Sequence, residues 1–368
     1  MISIDRIQNS AKHAVGISLA AAMLAGCSSP GYQATSLGGS APQTSNDLLR
    51  YPTSHSSNPG VLSGWPEGGS AQATRHGIGK PNVNLVGIYG SINAGAGLDI
   101  NGYNGNNLVN APPACQVPGN NISNIATDAP GDLIDPDGGT GKIIVYQGPG
   151  LCGPLVGATV DPFGRASDAA SRNALAGKIA VGNVSDIGGA PGSVSVCTLA
   201  INPCAVNLHN PRMFRVAGVA MDLAGNCWAD AVDANNAPWL TEFPGCTGGG
   251  VTATGFIESD YGGLDIDALG QLIAIDVKAN TATVYKGCPA CAIVKINNLL
   301  PGGTSLFGHF NHAANMFATA DYAFNQIDEY SYVAATGTLT YVKSFNNGFA
   351  PPPIPPVVGV AWDPRSRE

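Results

Sequence analysis

The sequence predicts an all-β fold, a β-propeller of four-stranded blades, six in number, preceded by a disordered tether. Three observations carry that expectation. The chain of 368 residues is 44% hydrophobic, enough for a sizeable core, yet 49 Gly and 27 Pro interrupt it too often for long helices. Six segments share one frame: Asp128-Ala-Pro-Gly131, Asp161-Pro-Phe-Gly164, Asp222-Leu-Ala-Gly225, Asp267-Ala-Leu-Gly270, His312-Ala-Ala-Asn315 and Asp363-Pro-Arg-Ser366. The first and last lie 235 residues apart, five intervals averaging 47, a length that four short strands and their turns fill. Short apolar runs flank the frames, VAGVAM and VVGVAW before, NCWA and LIAI after, with third strands such as ATVYKG, GSVSVC and KIIVYQG beyond.

The frame has a physical reason. An Asp opening a type I turn accepts from backbone N–H groups, and a residue with positive φ at the fourth position closes a bulged hairpin. Gly does this cheaply and Asn is the next best, which places Asn315 where the other units have Gly. The motif therefore shapes a turn and is not a catalytic site. The last frame stops after one strand, which needs three partners from elsewhere, and residues 83 to 110 can supply them by closing a blade from both termini. A frayed last strand, or five or seven blades, are the alternatives. The long interval between Asp161 and Asp222 is read as holding an insertion, SDAASRNALAG, as a short surface helix.

Over residues 82–368 the repeat resembles the NHL and streptogramin-lyase-like six-bladed propellers, whose second strands end near an Asp, here Asp230, Asp276 and Asp321. In propeller enzymes of that kind the resemblance implies a site in the central channel. Lactonase-like members use several carboxylates and amides around a cation, and those positions find no match in this sequence.

Residues 1–26 read as an export signal: Arg6 and Lys12, then an apolar run from Ala14 to Leu24. Eleven residues are too few to cross a hydrocarbon core that needs about 20. Leu24-Ala25-Gly26-Cys27 resembles the bacterial lipobox, which implies diacylglyceryl transfer to Cys27 and cleavage before it. Ser28, rather than Asp, then implies transfer to the outer membrane, so the expected address is the bacterial cell envelope and the first partner is the lipid bilayer. Residues 27–81, rich in Ser, Gly, Pro, Gln, Thr and Asn, read as a flexible linker. A net charge of -8 argues against a nucleic-acid partner.

Beyond Cys27 eight Cys remain, an even number in an oxidising compartment. Neighbours in chain order fall on adjacent strands or within one loop, which favours Cys115–Cys152, Cys197–Cys204, Cys227–Cys246 and Cys288–Cys291 among the possible pairings. The CPAC at 288–291 follows a strand rather than opening a helix, so a structural bridge is expected there and not a redox centre.

The acidic run Asp132 to Lys142 spaces Asp135 and Asp137 as a cation loop would, but lacks the bidentate Glu of an EF-hand, so a solvated turn is expected. His13 falls in the signal, His55 and His76 in the linker, and His209 in a loop. In the strand GHFNH, His309 and Asn311 replace apolar residues of the sister units, Val219 and Met221 or Leu264 and Ile266, and His312 replaces the repeated Asp. An odd polar set in one unit of a repeat is where function is first sought, which makes His309, Asn311 and His312 the candidate site residues, although without carboxylate partners they make a weak one. No cofactor fingerprint or metal-ligand rhythm occurs, so neither cofactor nor metal is expected. The resulting expectation is an anchored envelope lipoprotein whose propeller binds or scaffolds a protein or small-molecule ligand. The competing class is a propeller enzyme of lyase or lactone-hydrolase type.

Overall fold

The computed structural model describes residues 87–92, 96–104, 113–120, 123–186, 191–345 and 357–363. The export segment, Cys27, the linker, His13, His55 and His76 lie outside the described residues.

Strands of alternating and fully apolar pattern form six antiparallel sheets of four, the blades of one ring. Blade 1 contains β1 (Gly87–Ile92), β2 (Ala96–Asn104) and β3 (Cys115–Asn120). Blade 2 is β4 (Ala126–Thr127), β5 (Leu133–Asp137), β6 (Lys142–Tyr146) and β7 (Leu155–Val160). Blade 3 is β8 (Gly164–Ser171), β9 (Ile179–Asp186), β10 (Ser193–Thr198) and β11 (Ile201–Leu208). Blade 4 is β12 (Arg215–Met221), β13 (Cys227–Val232), β14 (Pro238–Phe243) and β15 (Val251–Thr252). Blade 5 is β16 (Leu264–Ile266), β17 (Leu272–Asp276), β18 (Thr281–Lys286) and β19 (Ala292–Asn298). Blade 6 is β20 (Ser305–Phe310), β21 (Met316–Asp321), β22 (Gln326–Val333) and β23 (Thr338–Phe345). The last strand, β24 (Val357–Asp363), returns to blade 1 and pairs with β1, Gly87 opposite Asp363 and Ile88 opposite Trp362. The first three described strands and the last thus complete one blade, with the three partner strands running to residue 120 rather than within 83–110.

Each seam between neighbouring blades holds its own apolar cluster, and a seventh joins Ala217 and Val232 of blade 4 to Tyr261. Val194 and Val196 of blade 3 meet Val219 and Phe243 of blade 4, and Ile275 and Val284 of blade 5 meet Phe307 and Phe317 of blade 6. The closing seams join Ala318 and Ile327 to Val360 and Trp362, and Tyr89 and Ile100 to Ile125 and Leu133. Burying such a side chain contributes about 1.5–3 kcal/mol, so the seams dominate the stability of the ring. Blades approach so closely near the axis that a Cβ at Gly218 would stand 2.4 Å from the Gly262 carbonyl oxygen. Four disulfides join Cys115 to Cys152, Cys197 to Cys204, Cys227 to Cys246 and Cys288 to Cys291.

The Asp-x-x-Gly frame makes the turn between the first two strands of blades 2, 4 and 5. Gly131, Gly225 and Gly270 donate to the carbonyls of Asp128, Asp222 and Asp267, with φ of 107°, 83° and 76°. Three expectations change. Asp161-Pro-Phe-Gly164 is not such a turn but the crossing from β7 to β8, where Asp161 Oδ1 accepts from Phe163 N and Ser195 Oγ. The turn of blade 3 lies between Ser171 and Ile179, so SDAASRNALAG is no helical insertion: its first half completes β8 and its second half is the hairpin loop. In blade 6 the frame begins one residue earlier than His312. Ala314, with φ of 48°, donates to the Asn311 carbonyl, and Asn311 Oδ1 accepts from Asn315 N and Met316 N.

The acidic run at Asp132 to Lys142 is not a solvated turn either. Asp135 lies inside β5, whose residues are all buried because a second strand packs between two neighbouring blades. Asp137 caps the β5–β6 turn by accepting from Gly139 N and Thr140 N.

Candidate functional site

Strand register aligns the innermost strands on the turn residues Asp128, Arg172, Asp222, Asp267, Asn311 and Asp363. Two residues before them stand Ala126, Ala170, Ala220 and Ala361, but Asp265 in blade 5 and His309 in blade 6. Four residues before them stand Gly218, Gly263, Phe307 and Gly359, but Asn124 in blade 2 and Asp168 in blade 3. At these two offsets, polar side chains stand where most sister blades carry Ala or Gly.

These four residues form one chain across the axis. Asp265 Oδ2 accepts from Phe310 N at 2.7 Å and stands 3.3 Å from His309 Nδ1. His309 Nε2 lies 2.9 Å from Asn124 Nδ2, which donates to Asp168 Oδ1 at 2.7 Å. Asp168 Oδ2 accepts from Val219 N at 2.8 Å, tying blade 3 to blade 4. Gly359 makes the crossing feasible, because a Cβ there would come within 2.7 Å of Asn124 Oδ1. His309, Asn124 and Asp168 are buried, and the chain meets solvent at the partly exposed Asp265.

Electrostatics follow from that burial. Burial acts to expel the proton from His309, but the hydrogen bond and charge of Asp265, with the charge of Asp168, outweigh it and hold the imidazole pKa above its ordinary value. Burial pushes the Asp168 carboxyl up to about 6, against the pull of His309 and the N–H groups it accepts from. The arrangement can store and exchange a proton at the axis.

Of the sequence candidates, His309 belongs to this chain. Asn311 instead caps the β20–β21 turn, and His312 lies exposed on it. The expectation that His309 lacks a carboxylate partner is overturned, and its sister residues are Ala220 and Asp265 rather than Val219 and Leu264. Asn124, Asp168 and Asp265 were missed in the sequence. Their signal, polar residues at two fixed offsets from the turn, emerges only once blades 3 and 6 are aligned on their true turns.

A second odd residue sits at the seam of blades 4 and 5. Counted along the second strand, Asp230 aligns with Pro136, Ile275 and Ala320, not with Asp276 and Asp321 as the family pattern implied; Ala231 holds that place. Asp230 is fully buried, its Oδ2 accepting from Gly262 N at 3.0 Å and its Oδ1 lacking a hydrogen-bond partner. Both oxygens of Glu258, on the β15–β16 connection, are also buried without one. Burial, then repulsion among Asp230, Glu258, Asp260 and Asp276, raises the Asp230 and Glu258 carboxyls far above the usual carboxylate range. Among the described residues no group of three or more His, Cys, Asp or Glu is arranged to hold a metal ion.

A scan against protein-family models finds no match, and a search of curated proteins finds none. Solved structures do match. A chain from the crystal structure of a nidogen/laminin complex aligns with a TM-score of 0.57 at 14% identity, covering 76% of this chain and 98% of that one. A protein of unknown function from Bacteroides caccae aligns at 0.52 and 11%, covering 76% and 99%, and a functionally unknown protein from Desulfotomaculum acetoxidans DSM 771 at 0.50 and 13%, covering 75% and 84%. Identities this low speak for the fold alone. By fold, the chain is a six-bladed β-propeller similar to these structures.

Proposed function

We propose that this chain is a lipid-anchored protein of the bacterial cell envelope, acylated at Cys27 on the outer membrane, whose propeller is a binding or scaffolding module. The observation that carries the binding reading is the closure of the Asp265–His309–Asn124–Asp168 chain upon itself and the backbone, which braces the axis instead of leaving convergent groups for a substrate. The ligand is a protein or a small molecule, and a protein is the first to test because a similar fold occurs in a nidogen/laminin complex. The lipobox-like Leu24-Ala25-Gly26-Cys27 and the linker after it support the anchor.

The test has two arms. Metabolic labelling with a palmitate analogue should be lost in Cys27→Ala, and labelling unchanged by the substitution overturns the anchor. Cross-linking of the wild-type protein in intact envelopes should yield a partner that Asp265→Asn retains. Turnover of a lactone or cyclic ester by the wild-type protein, abolished in Asp265→Asn, would replace the binding reading with an NHL- or streptogramin-lyase-like enzyme.

A further inference from the structure

We infer that the channel chain is a proton-operated clamp on β24, the strand that closes the ring. The two residues of the His309–Asn124 contact both grip it. Trp362 Nε1 donates to the His309 carbonyl at 2.9 Å, and Val360 N donates to Asn124 Oδ1 at 3.2 Å. Thr127 Oγ1 adds a bond to the Trp362 carbonyl at 2.7 Å from blade 2.

Hydrogen-bond polarity sets the protonation state in which the clamp is closed. Val360 N–H needs an acceptor, so the Asn124 oxygen faces β24 and its nitrogen faces the channel. That nitrogen carries two hydrogens, one directed to Asp168 Oδ1 and one to His309 Nε2. Nε2 then presents its lone pair, and the ring is neutral with its proton on Nδ1, towards Asp265.

A proton arriving at Nε2 sets donor against donor across 2.9 Å. Turning the Asn124 amide over relieves the conflict, because its oxygen then accepts from the imidazolium. The same turn brings that oxygen to Asp168, which takes up a second proton and donates to it. It also presents an NH2 group to Val360 N–H, so the bond to β24 is lost. Two protons thus invert the chain and release one grip on the closing strand.

The titratable groups facing the ring are Asp265 on β16 and Asp168 on β8. β24 presents Val360 and Trp362, and the segment before β4 presents Asn124 and the Ile125 main chain, none of which titrates in this range. Both carboxylates and the hydrogen bond with the Ile125 main chain favour the imidazolium, and Asp168 itself is raised to about 6, so the inversion is complete once pH has fallen through about 6.

Amide hydrogen exchange of the folded protein, corrected for intrinsic rates, tests this. Protection of residues 357–363 should fall about tenfold from pH 8 to pH 5 while β13 stays protected, and His309→Gln should abolish that dependence. An equal dependence in the variant, or none in the wild-type protein, overturns the clamp. Should His309→Gln not fold, imidazole 15N shifts of the wild-type protein decide: a neutral Nδ1–H ring at pH 8 and an imidazolium at pH 5 are expected, and an imidazolium coexisting with a protected Val360 amide overturns it.

Discussion

Asp230 on β13 accepts a hydrogen bond from the Gly262 main chain across the seam of blades 4 and 5, with no part of its side chain exposed. This single bond leaves Asp230 Oδ1 and both oxygens of Glu258 buried without a partner, beside Asp260 and Asp276. Carboxyls raised in this way resist ionisation in the folded state only. Their burial therefore carries no ionisation penalty below the unfolded pKa, about 4, and stability falls as pH rises from there towards their folded values. Asp230→Asn keeps an acceptor for Gly262 and removes one charge. It should raise the melting temperature by a few degrees at pH 8, leave it nearly unchanged at pH 4, and so flatten the loss with pH. Thermal unfolding at the two pH values checks this, and parallel curves for both proteins would contradict it.

The four disulfides should not contribute equally. Cys115–Cys152 closes the longest loop, 37 residues in sequence, and joins β3 of blade 1 to the β6–β7 loop of blade 2. By loop entropy its removal as a Cys115→Ala, Cys152→Ala pair costs about 3–4 kcal/mol. Cys288–Cys291 spans only three residues, and its removal should cost half of that or less. Denaturant unfolding of the two double variants gives the ranking, and mass spectrometry of non-reduced protein should find no alkylatable thiol in the propeller.

The architecture was legible because its signal is local and repeated: an Asp and a Gly in a turn, with apolar strands on either side. The exceptions have specific causes. Asp161 offers the same four residues but uses its carboxylate to cap an interblade crossing. Blade 3 turns through Arg172 and Asn173, so its hairpin carries no frame to find. Blade 6 closes its hairpin with one residue more, Asn311 N donating to the Met316 carbonyl where Asp222 N donates to that of Asn226, and this slipped the alignment. That slip hid the axis, since His309 gains its meaning beside Asp265, Asn124 and Asp168, residues from blades 5, 2 and 3 that sequence separation keeps apart. A frame set by one residue decided whether the site could be seen.

The turn of blade 6 offers the most direct test of that corrected frame. Ala314 holds a φ of 48°, where Gly131, Gly225 and Gly270 stand in sister blades, and a side chain in this region costs about 1–2 kcal/mol. Ala314→Gly should therefore stabilise the protein by up to about 1 kcal/mol, the added freedom of Gly in the unfolded chain offsetting part of the gain. Asn311→Ala removes the acceptor of Asn315 N and Met316 N at a buried position and should cost about 1–3 kcal/mol. His312→Ala, at an exposed position of the same turn, should cost clearly less than Asn311→Ala. Urea unfolding of the three variants reads all of this at once. A large loss in His312→Ala with little in Asn311→Ala would restore His312 as the turn residue and dissolve the alignment that brings Asp265 level with His309.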